Sequence, residues 1–416
     1  MKISGEGMTK VNDSLGNRVV FASTLSFTVL FAVWVIFGIV GVAFKQEFQV
    51  SSDDFFLLTS IPILTGSLFR VPIGILSDKY GGKNMMVLVL LGCCVPMFIL
   101  PYVHSFQTIL ILSFFVGLAG ISFAVGNSWI MFWKQEKSQG LALGTFGAGN
   151  AGASITKLIA PFLIATAPFG LPFIPAGWRS VPFIFGLLLL FTAIFIYFYA
   201  PKDRVAKPKS FAEWMRPLRY LQVWRYGFYY VIFFGAYVAL AVTMPKYYID
   251  VYKIDLVKAG LLTSFYIFPA SLLRPLGGYL SDKFGPRRVT VWAFIVVILS
   301  CAMLSISGIS LLTFLLLSIV LGTGMGVGKA SNYKLVANKY GQHMGVVGGL
   351  VGLLGGLGGW LLQILFGVTI KYYVPMPFVL LGSFAVLGLA VFAANIIHKI
   401  NLEQSGNREL PSVAAK

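Results

Sequence analysis

Long apolar stretches alternate with short polar breaks along nearly the whole chain. A membrane-spanning helix needs about 20 mainly apolar residues, and no stretch alternates apolar and polar residues with the period of two that a β-barrel strand requires. The pattern therefore predicts an all-α, polytopic membrane protein. Its twelve transmembrane helices are expected near residues 19–43, 55–77, 84–103, 106–131, 138–166, 180–200, 226–247, 257–280, 289–308, 310–333, 344–370 and 375–398.

The composition agrees with burial in a lipid bilayer. Of the 416 residues, 57% are hydrophobic and 11% are charged, whereas a soluble chain carries about 25% charged residues. The mean hydropathy is +0.84. A net charge of +18 would ordinarily suggest a nucleic-acid partner, but 32 Lys and Arg spread over 416 residues form no general basic surface. We therefore expect a bilayer, and no nucleic acid, as the partner.

Most of the basic residues lie on one side of the predicted spans. With both termini inside, 22 Lys and Arg fall in inner segments, 6 in outer loops and 4 within spans or at their ends. This asymmetry predicts a cell-membrane protein with cytoplasmic termini. The densest cluster, at 201–225, is interpreted as a cytoplasmic linker along the membrane surface. A regulatory partner site is the alternative.

The second half of the chain repeats the first. The residues LLTS at 57–60 recur at 261–264, and the same offset of 204 carries Arg70 onto Arg274 and Asp78-Lys79 onto Asp282-Lys283. We therefore divide the chain into a six-helix half (1–200), the basic linker (201–225) and a second six-helix half (226–416). Such repeats place a substrate site between the halves, near the middle of the bilayer.

The repeated loop resembles a motif of the major facilitator superfamily. It runs Gly74-x-x-x-Asp78-Lys79-x-Gly81 in the first half and Gly278-x-x-x-Asp282-Lys283-x-Gly285 in the second. The resemblance implies a gate made of Asp78, Lys79, Asp282 and Lys283, in which the acidic groups meet neighbouring cations when the cytoplasmic side closes. Helix capping with ordinary positive-inside charge is the alternative.

Two arginines lie where charge is costly. Arg70 and Arg274 fall well inside predicted spans, where an ionised side chain costs about 2.5–3.5 kcal/mol, and no Asp or Glu falls inside any predicted span. Two buried cations without a carboxylate favour an anionic ligand. The planar fork of arginine donors suits a small planar oxyanion. Structural arginines satisfied by helix carbonyls are the alternative.

Two glycine-rich segments sharpen the resemblance. The segment at 147–152 formally matches G-x-G-x-x-G, but no strand precedes it, so we do not predict dinucleotide binding. Segments 144–154 and 348–360 instead resemble the paired signatures of the nitrate/nitrite porter family within that superfamily, and the resemblance covers essentially the whole chain. The signature glycines are Gly147, Gly149, Gly152, Gly352, Gly355 and Gly356.

The family resemblance implies a role for each pocket residue. Arg70 and Arg274 would hold the anion between them, and Asn150 would donate an amide hydrogen bond. Phe123, Tyr230 and Phe234 match the pocket aromatics of the family. The implied function is nitrate transport by alternating access, in nitrate assimilation. Nitrate is planar and weakly hydrated, so it loses less on desolvation than sulfate or phosphate.

The coupling mechanism depends on a titratable group. Anion entry into an inside-negative cell costs about 2.3 kcal/mol per 100 mV, so symport needs protons and a relay. Lys157 lies seven residues after Asn150, on the same face of a continuous helix, and favours proton-coupled uptake. A fixed or snorkelling charge is the alternative for Lys157, and nitrate/nitrite antiport is the alternative function. Lys329 and Lys334 are weaker candidates near the inner end of span 10.

Other functional classes have little support. The histidines show no metal-ligand spacing, and the cysteines lie in apolar spans as small hydrophobes, so we expect no enzyme, metal or cofactor. An anion-binding membrane sensor is a remote alternative, and a monomer is the expected state. The histidines are His104, His343 and His398, and the cysteines are Cys93, Cys94 and Cys301.

Overall fold

The chain folds almost entirely into helices. The computed structural model describes residues 13–166, 176–203, 205, 210–370 and 372–408, and these residues contain no strand. Eight helical runs are long and apolar enough to cross a membrane, and a bent pair, 57–68 with 70–80, makes a ninth. One of the eight runs, 311–369, contains two successive helices. The predicted all-α, polytopic fold class is confirmed.

Nineteen α-helices are present in the described residues. In chain order, α1 to α19 are Asp13–Trp34, Phe37–Glu47, Ser52–Leu68, Arg70–Tyr80, Gly82–Ile99, Phe106–Gly117, Ser122–Met131, Gln139–Gly147, Gly152–Thr166, Ser180–Tyr199, Phe211–Met215, Leu221–Tyr230, Ala236–Tyr252, Leu256–Leu272, Arg274–Phe284, Pro286–Leu304, Leu311–Tyr340, Met344–Thr369 and Met376–Arg408.

Six of the twelve predicted spans are broken helices in the described residues. The breaks lie between α1 and α2, α3 and α4, α6 and α7, α8 and α9, α12 and α13, and α14 and α15. Two of them are 3₁₀ turns, Leu118–Ile121 and Ala148–Ala151, and one is a π-helical turn, Val231–Gly235. Joined across the breaks, the helices other than the short α11 correspond to the twelve predicted spans.

The internal repeat is visible in the backbone. Phe69 and Leu273, which precede Arg70 and Arg274, have nearly identical dihedral angles (φ −84°, ψ 3° and φ −87°, ψ 4°). The turns after α4 and α15 each contain a glycine with positive φ, Gly81 (96°) and Gly285 (86°). We call the end of the molecule that carries these two turns the motif face. The Lys and Arg distribution predicts that it is cytoplasmic.

The two halves cross closely at the motif face. Helix α4 packs along α18, and α8 packs along α15. A Cβ atom on Gly74 would overlap the carbonyl oxygen of Gly345, and one on Gly278 would overlap that of Gly140. These contacts bring backbone against backbone, as small residues permit in membrane helices.

Two segments extend beyond the predicted boundaries. Helix α17 continues to Tyr340, past the predicted end at residue 333, so Lys329 and Lys334 lie inside it. In the predicted linker, α11 is a short helix with a capping box between Ser210 and Glu213, and Trp214 is buried. Residues 204 and 206–209 of the linker lie outside the described residues, and the proposed division at 201–225 stays a prediction.

Candidate substrate-binding site

Helix breaks place the two arginines at equivalent positions. Arg70 and Arg274 are the first residues of α4 and α15, directly after the breaks at Phe69 and Leu273. Their exposed fractions are 2% and 1%. Both guanidinium groups are therefore buried among the helices, where a charged group requires compensation.

Arg70 joins the two halves. Its Nε donates to the carbonyl oxygens of Gly66 (3.0 Å) and Gly120 (3.2 Å) in the first half. Its Nη1 donates to the carbonyl oxygen of Gly352 in the second half. Helix carbonyls thus satisfy part of the Arg70 donor fork, as the structural interpretation of this residue required.

Part of the Arg274 guanidinium is unpaired. Its Nε and Nη1 are buried and have no hydrogen-bond partner among the described residues. Buried polar groups in native proteins are nearly always paired, and each unpaired one costs about 1–3 kcal/mol. Helix carbonyls therefore do not account for Arg274, and its free donors are suited to a ligand.

One phenylalanine ring lies beside both cations. The Cζ atoms of Arg70 and Arg274 are 5.5 and 5.7 Å from the centre of the Phe123 ring, within the range of a cation–π interaction. The structure therefore brings the two arginines and Phe123 together, as expected from the sequence.

The other two expected aromatic residues, Tyr230 and Phe234, pack in a row beside Phe123. Tyr230 stacks on Phe123 (centroids 6.2 Å apart, planes at 15°) and on Phe234 (5.1 Å, 10°). Tyr230 ends α12 and Phe234 lies in the π turn, where four residues come close to a full helical turn. The buried Tyr230 hydroxyl has no hydrogen-bond partner among the described residues.

Asn150 lies in the 3₁₀ turn between α8 and α9. Its exposed fraction is zero, and neither its amide nitrogen nor its amide oxygen has a hydrogen-bond partner within the described chain. An amide that is fully buried and unpaired is poised to contact a ligand.

The signature glycines leave room for the site and for helix packing. A Cβ atom on Gly147 would overlap the Arg274 guanidinium, and one on Gly355 would overlap the Tyr230 ring. A Cβ atom on Gly352 would lie 3.1 Å from Arg70 Nη1. The remaining signature glycines pack closely against neighbouring helices or side chains: Gly149, Gly152 and Gly356.

Lys329 is a third buried cation in this cluster. Its exposed fraction is zero, and its Nζ has no hydrogen-bond partner in the described part of the chain. The Nζ lies 3.5 Å from the centre of the Tyr237 ring and close enough to Arg274 for electrostatic interaction. From the sequence, Lys329 is a weaker candidate than Lys157 because span 10 is predicted to end near residue 333, which places Lys329 near the end of the span.

Tyr333 is a site residue that the sequence analysis missed. Its ring meets those of Phe123 (5.1 Å) and Tyr230 (4.9 Å) edge-on. Its hydroxyl donates to the carbonyl oxygen of Gly348 (2.8 Å). The available signal was its position four residues after Lys329, which puts both side chains on one face of α17.

Lys157 does not lie in the buried cluster with Asn150. Its side chain is exposed, whereas Asn150 is fully buried. Asn150 lies in the 3₁₀ turn Ala148–Ala151 and Lys157 lies on α9, so no single continuous α-helix carries both residues. The seven-residue spacing therefore does not keep the two side chains on one face.

The acidic residues of the repeated loop motif bind across the halves at the motif face. Asp282 accepts hydrogen bonds from the backbone N–H groups of Gly140 (3.0 Å) and Leu141 (2.8 Å) and pairs with Lys334 Nζ at 2.9 Å. Lys334 also donates to the carbonyl oxygen of Glu136. A carboxylate of the second half thus caps the start of α8 in the first half.

Asp78 makes the reciprocal contact. It accepts hydrogen bonds from the Gly345 N–H (3.2 Å), at the start of α18, and from the Ser128 hydroxyl. The lysines next to the two acids lie against aromatic rings: Lys79 Nζ is 4.9 Å from the Tyr80 ring centre, and Lys283 Nζ is 5.3 Å from that of Phe284. In the second-half motif, an acid meets a cation in the pair of Asp282 with Lys334.

The site combines buried cations, unpaired donors and aromatic walls. Within the described residues, the carboxylates lie at helix ends or in connections. An anion that enters the cluster would meet donors from both halves. Two related sets of membrane helices with a ligand site between them define a transporter of the alternating-access type.

Comparison with known proteins agrees with this class. The sequence profile described as Major Facilitator Superfamily matches residues 22–362 and 228–409. The chain belongs to the Major Facilitator Superfamily and, within it, to the nitrate/nitrite porter family. It is a transporter and not an enzyme.

Individual relatives cover most of the chain. A Thermus thermophilus protein named "Probable nitrate/nitrite antiporter NarK1" is 43% identical over 376 residues, which are 84% of each chain. The "Nitrite extrusion protein" of Bacillus subtilis (strain 168) is 29% identical over 373 residues, 88% of this chain and 92% of its own. A crystal structure of the transporter FucP in the outward conformation has a TM-score of 0.72 at 17% identity, covers 89% of this chain and 96% of its own, and shows the fold alone.

Proposed function

We propose that this protein exchanges nitrate for nitrite across the membrane, with the anion held between Arg70 and Arg274. The observation that carries the proposal is the buried cationic cluster, in which Arg274 Nε and Nη1 and Lys329 Nζ have no hydrogen-bond partner among the described residues. The names of the relatives, which include a nitrate/nitrite antiporter and a nitrite extrusion protein, support these two substrates.

The chemistry of the cluster suits these anions. Both are small, planar and monovalent, so a guanidinium fork can bind two oxygens in one plane. Asn150 adds an amide donor, and Phe123 and Tyr230 supply flat walls. Sulfate or phosphate would have to give up a larger hydration free energy in the same surroundings.

Exchange follows from the charge of the empty site. Without an anion, Arg70, Arg274 and Lys329 form a buried cluster of positive charge, and guanidinium groups keep their protons. Moving such a site through the closed intermediate is unfavourable. An anion in each direction lowers this cost, and exchange of two monovalent anions performs no net electrical work.

Proton-coupled nitrate uptake is the second candidate, and Lys329 is the observation that favours it. A lysine can release its proton to lower the charge of an empty site, which the arginines cannot do. Lys329 is fully buried beside Arg274, whereas Lys157, on which the sequence analysis based this function, is exposed. Any proton relay in this protein is therefore assigned to Lys329.

Flux measurements in proteoliposomes separate the two candidates. For exchange, nitrate uptake requires internal nitrite or nitrate and is insensitive to membrane potential. For symport, an inward proton gradient drives nitrate into vesicles that contain no exchangeable anion. Uptake of the second kind by the wild-type protein would refute obligatory exchange.

A matched pair of lysine variants tests the relay. Under symport, Lys329→Met abolishes gradient-driven uptake but leaves nitrate/nitrite counterflow, while Lys157→Gln resembles the wild type because that side chain is exposed. Gradient-driven uptake that persists in Lys329→Met would exclude Lys329 as the relay. Loss of all anion flux in both Arg70→Lys and Arg274→Lys, with retained folding, is expected under either candidate.

We place the motif face on the cytoplasmic side of the cell membrane. The support is the excess of Lys and Arg in the segments predicted to be inner, 22 against 6, together with the positive-inside rule. Labelling of a cysteine introduced at Lys137, in the connection between α7 and α8, by an impermeant maleimide in inside-out but not in right-side-out vesicles would verify this orientation.

A further inference from the structure

In the first half of the molecule, a carboxylate occupies the N-terminal end of α5, which is the third predicted span. Asp203 accepts hydrogen bonds from the backbone N–H groups of Lys83 (2.8 Å) and Asn84 (3.0 Å) in the first turn of α5. A Cβ atom on Gly81, just before α5, would overlap this carboxylate. The helix start and the Asp203 side chain therefore form a closed anion site within the protein.

The equivalent place in the second half is open. The offset of 204 carries Gly81 onto Gly285, and Lys83 and Asn84 onto Arg287 and Arg288 in the first turn of α16. No atom of the described residues lies within 4 Å of a Cβ atom built on Gly285. A cavity of about 840 Å³ is found there instead. The backbone cradle is thus repeated, but the anion that fills it in the first half is not.

The sequence explains why the cradle stays open. The same offset carries Asp203 onto Asn407, which has no charge. In addition, α10 ends at Tyr199 and lets the chain turn back toward α5, whereas α19 continues as a helix to Arg408. Among the described residues, no acidic side chain lies at the start of α16.

The lining of the cavity is basic. Arg287, Arg288 and Lys339 border it, and none of the thirteen described residues that line it is acidic. Polar side chains lie among them, including Asn395, which accepts a hydrogen bond from Arg225 Nη1 (2.8 Å). Three cations around a repeated anion cradle make a site for a group with more than one negatively charged oxygen.

The surroundings favour a ligand that comes from the bilayer. Phe284 lines the cavity and is 40% exposed, and its ring meets that of Trp292, which is 46% exposed, at 5.8 Å. Exposed aromatic rings of this kind lie at the boundary between lipid and water in membrane proteins. The cavity thus opens where headgroups lie, at the motif face.

We propose that this cavity binds the phosphate headgroup of an acidic phospholipid. The phosphate takes the place that Asp203 occupies in the first half, against the start of α16, with Arg287 and Arg288 as its counter-charges. The residues that line this cavity are not those of the proposed anion site. The lipid proposal therefore does not depend on the proposed transport function. Basic pockets between membrane helices are a recognised form of lipid-binding site.

Lipid retention by the full-length protein tests the proposal directly. The protein is reconstituted into nanodiscs of equal parts phosphatidylglycerol and phosphatidylcholine, released into detergent, and examined by native mass spectrometry. We expect one phosphatidylglycerol molecule retained in preference to phosphatidylcholine. Equal retention of the two lipids by the wild-type protein would overturn the proposal without any substitution.

Two matched variants locate the site. The double change Arg287→Gln and Arg288→Gln is expected to weaken phosphatidylglycerol retention at least about tenfold, because each cation near the membrane surface contributes about 1 kcal/mol. The control is Lys83→Gln, which removes a charge at the position equivalent to Arg287 but where Asp203 already fills the cradle. Retention unchanged in the double variant, or equally reduced in the control, would refute the assignment.

Inorganic phosphate distinguishes the source of the ligand. The measurement is repeated with millimolar phosphate present during release from the nanodisc. Retained phosphatidylglycerol supports a lipid site, since the acyl chains add to the binding of the headgroup. Its displacement by phosphate at concentrations equal to those of the lipid would assign the cavity to a free anion and overturn the lipid assignment.

Discussion

Arg70 and Arg274 share one aromatic neighbour: their guanidinium carbons lie 5.5 and 5.7 Å from the centre of the Phe123 ring. The first half supplies Arg70 and Phe123, and the second half supplies Arg274. An anion bound between the arginines would therefore attach the halves to each other at the point where they must move. This relationship connects ligand binding with closure of the transporter.

Arginine geometry is the first property to test. Arg274→Lys keeps the charge but removes the fork, and we expect nitrate affinity to fall about 10- to 100-fold, the value of one or two hydrogen bonds to a charged group. Equilibrium binding of nitrate to the purified protein measures the effect. Arg219→Lys, in the connection before α12, is the control and should bind like the wild type. Wild-type affinity in Arg274→Lys would contradict the pocket assignment.

Gly147 tests whether the site depends on a missing side chain. Gly147→Ala introduces a carbon that overlaps the Arg274 guanidinium, so we expect anion flux to fall more than about tenfold while the protein still folds. The control is Gly92→Ala in α5, where the added carbon has no neighbour within 4 Å in the part of the chain that the structure describes. That change should keep full flux and stabilise the helix by up to about 1 kcal/mol. Equal behaviour of the two variants in a flux and thermal-unfolding assay would disprove the steric argument.

The closure at the motif face depends on Asp282. Asp282→Asn loses the ion pair with Lys334 and can no longer accept hydrogen bonds through two carboxylate oxygens. Removing one partner of a buried pair costs about 3–5 kcal/mol, so we expect the motif face to open more often.

Cysteine labelling measures this opening. A cysteine replaces Val71, which lies beside Gly349 at the crossing of α4 and α18, in a background without Cys93, Cys94 and Cys301. Asp282→Asn should raise its rate of maleimide labelling at least about tenfold, and the exposed Asp13→Asn should not. No change in the rate with Asp282→Asn would show that other contacts hold the closure.

The opposite end of the molecule offers a test by pH. Arg179 bonds both oxygens of Glu47 (2.5 and 2.9 Å) and, by hydrogen bonding, holds the pKa of this carboxyl below its ordinary value of 4.5. The Trp178 ring N–H also donates to Glu47. Because the folded-state pKa is lowered, the pair stabilises the fold at neutral pH, and the contribution is lost as pH falls through that pKa.

The corresponding variant is Glu47→Gln. At pH 7 it should unfold at a slightly lower temperature than the wild type, by the equivalent of at most about 1 kcal/mol, because the pair is partly exposed. The difference should shrink below about pH 4. A difference that stays constant between pH 7 and pH 3 would show that the ionised form of Glu47 is not responsible.

Sequence patterns predicted the fold class and identified the main candidate pocket residues. Arg70 and Arg274 were visible because charge inside an apolar span is costly, and the repeat showed that they are equivalent. The aromatic residues Tyr230 and Phe234 could be placed only through the family resemblance, since a stripe of aromatic side chains is common in packing. Their roles as ligand contacts remain predictions.

The lysines show where sequence reasoning failed and why. A seven-residue spacing indicates a shared face only within one continuous α-helix, and Asn150 lies in a 3₁₀ turn whereas Lys157 lies on α9. Lys329 was ranked low because the predicted span ended at 333, whereas α17 runs to Tyr340. Helix breaks and extensions of this kind depend on tertiary packing, which hydropathy does not encode.

The crossings at the motif face limit how this transporter can change over evolutionary time. Where Gly74 meets Gly345 and Gly140 meets Gly278, the contact is between backbones, and no side chain is available there to be exchanged for a slightly larger or smaller one. Variants that alter the stability of the closed state are therefore expected at the polar contacts around the crossings, such as Asp282 with Lys334 and Asp78 with Ser128. The rate of opening can thus diverge among descendants of this protein while the shape of the crossing stays constant.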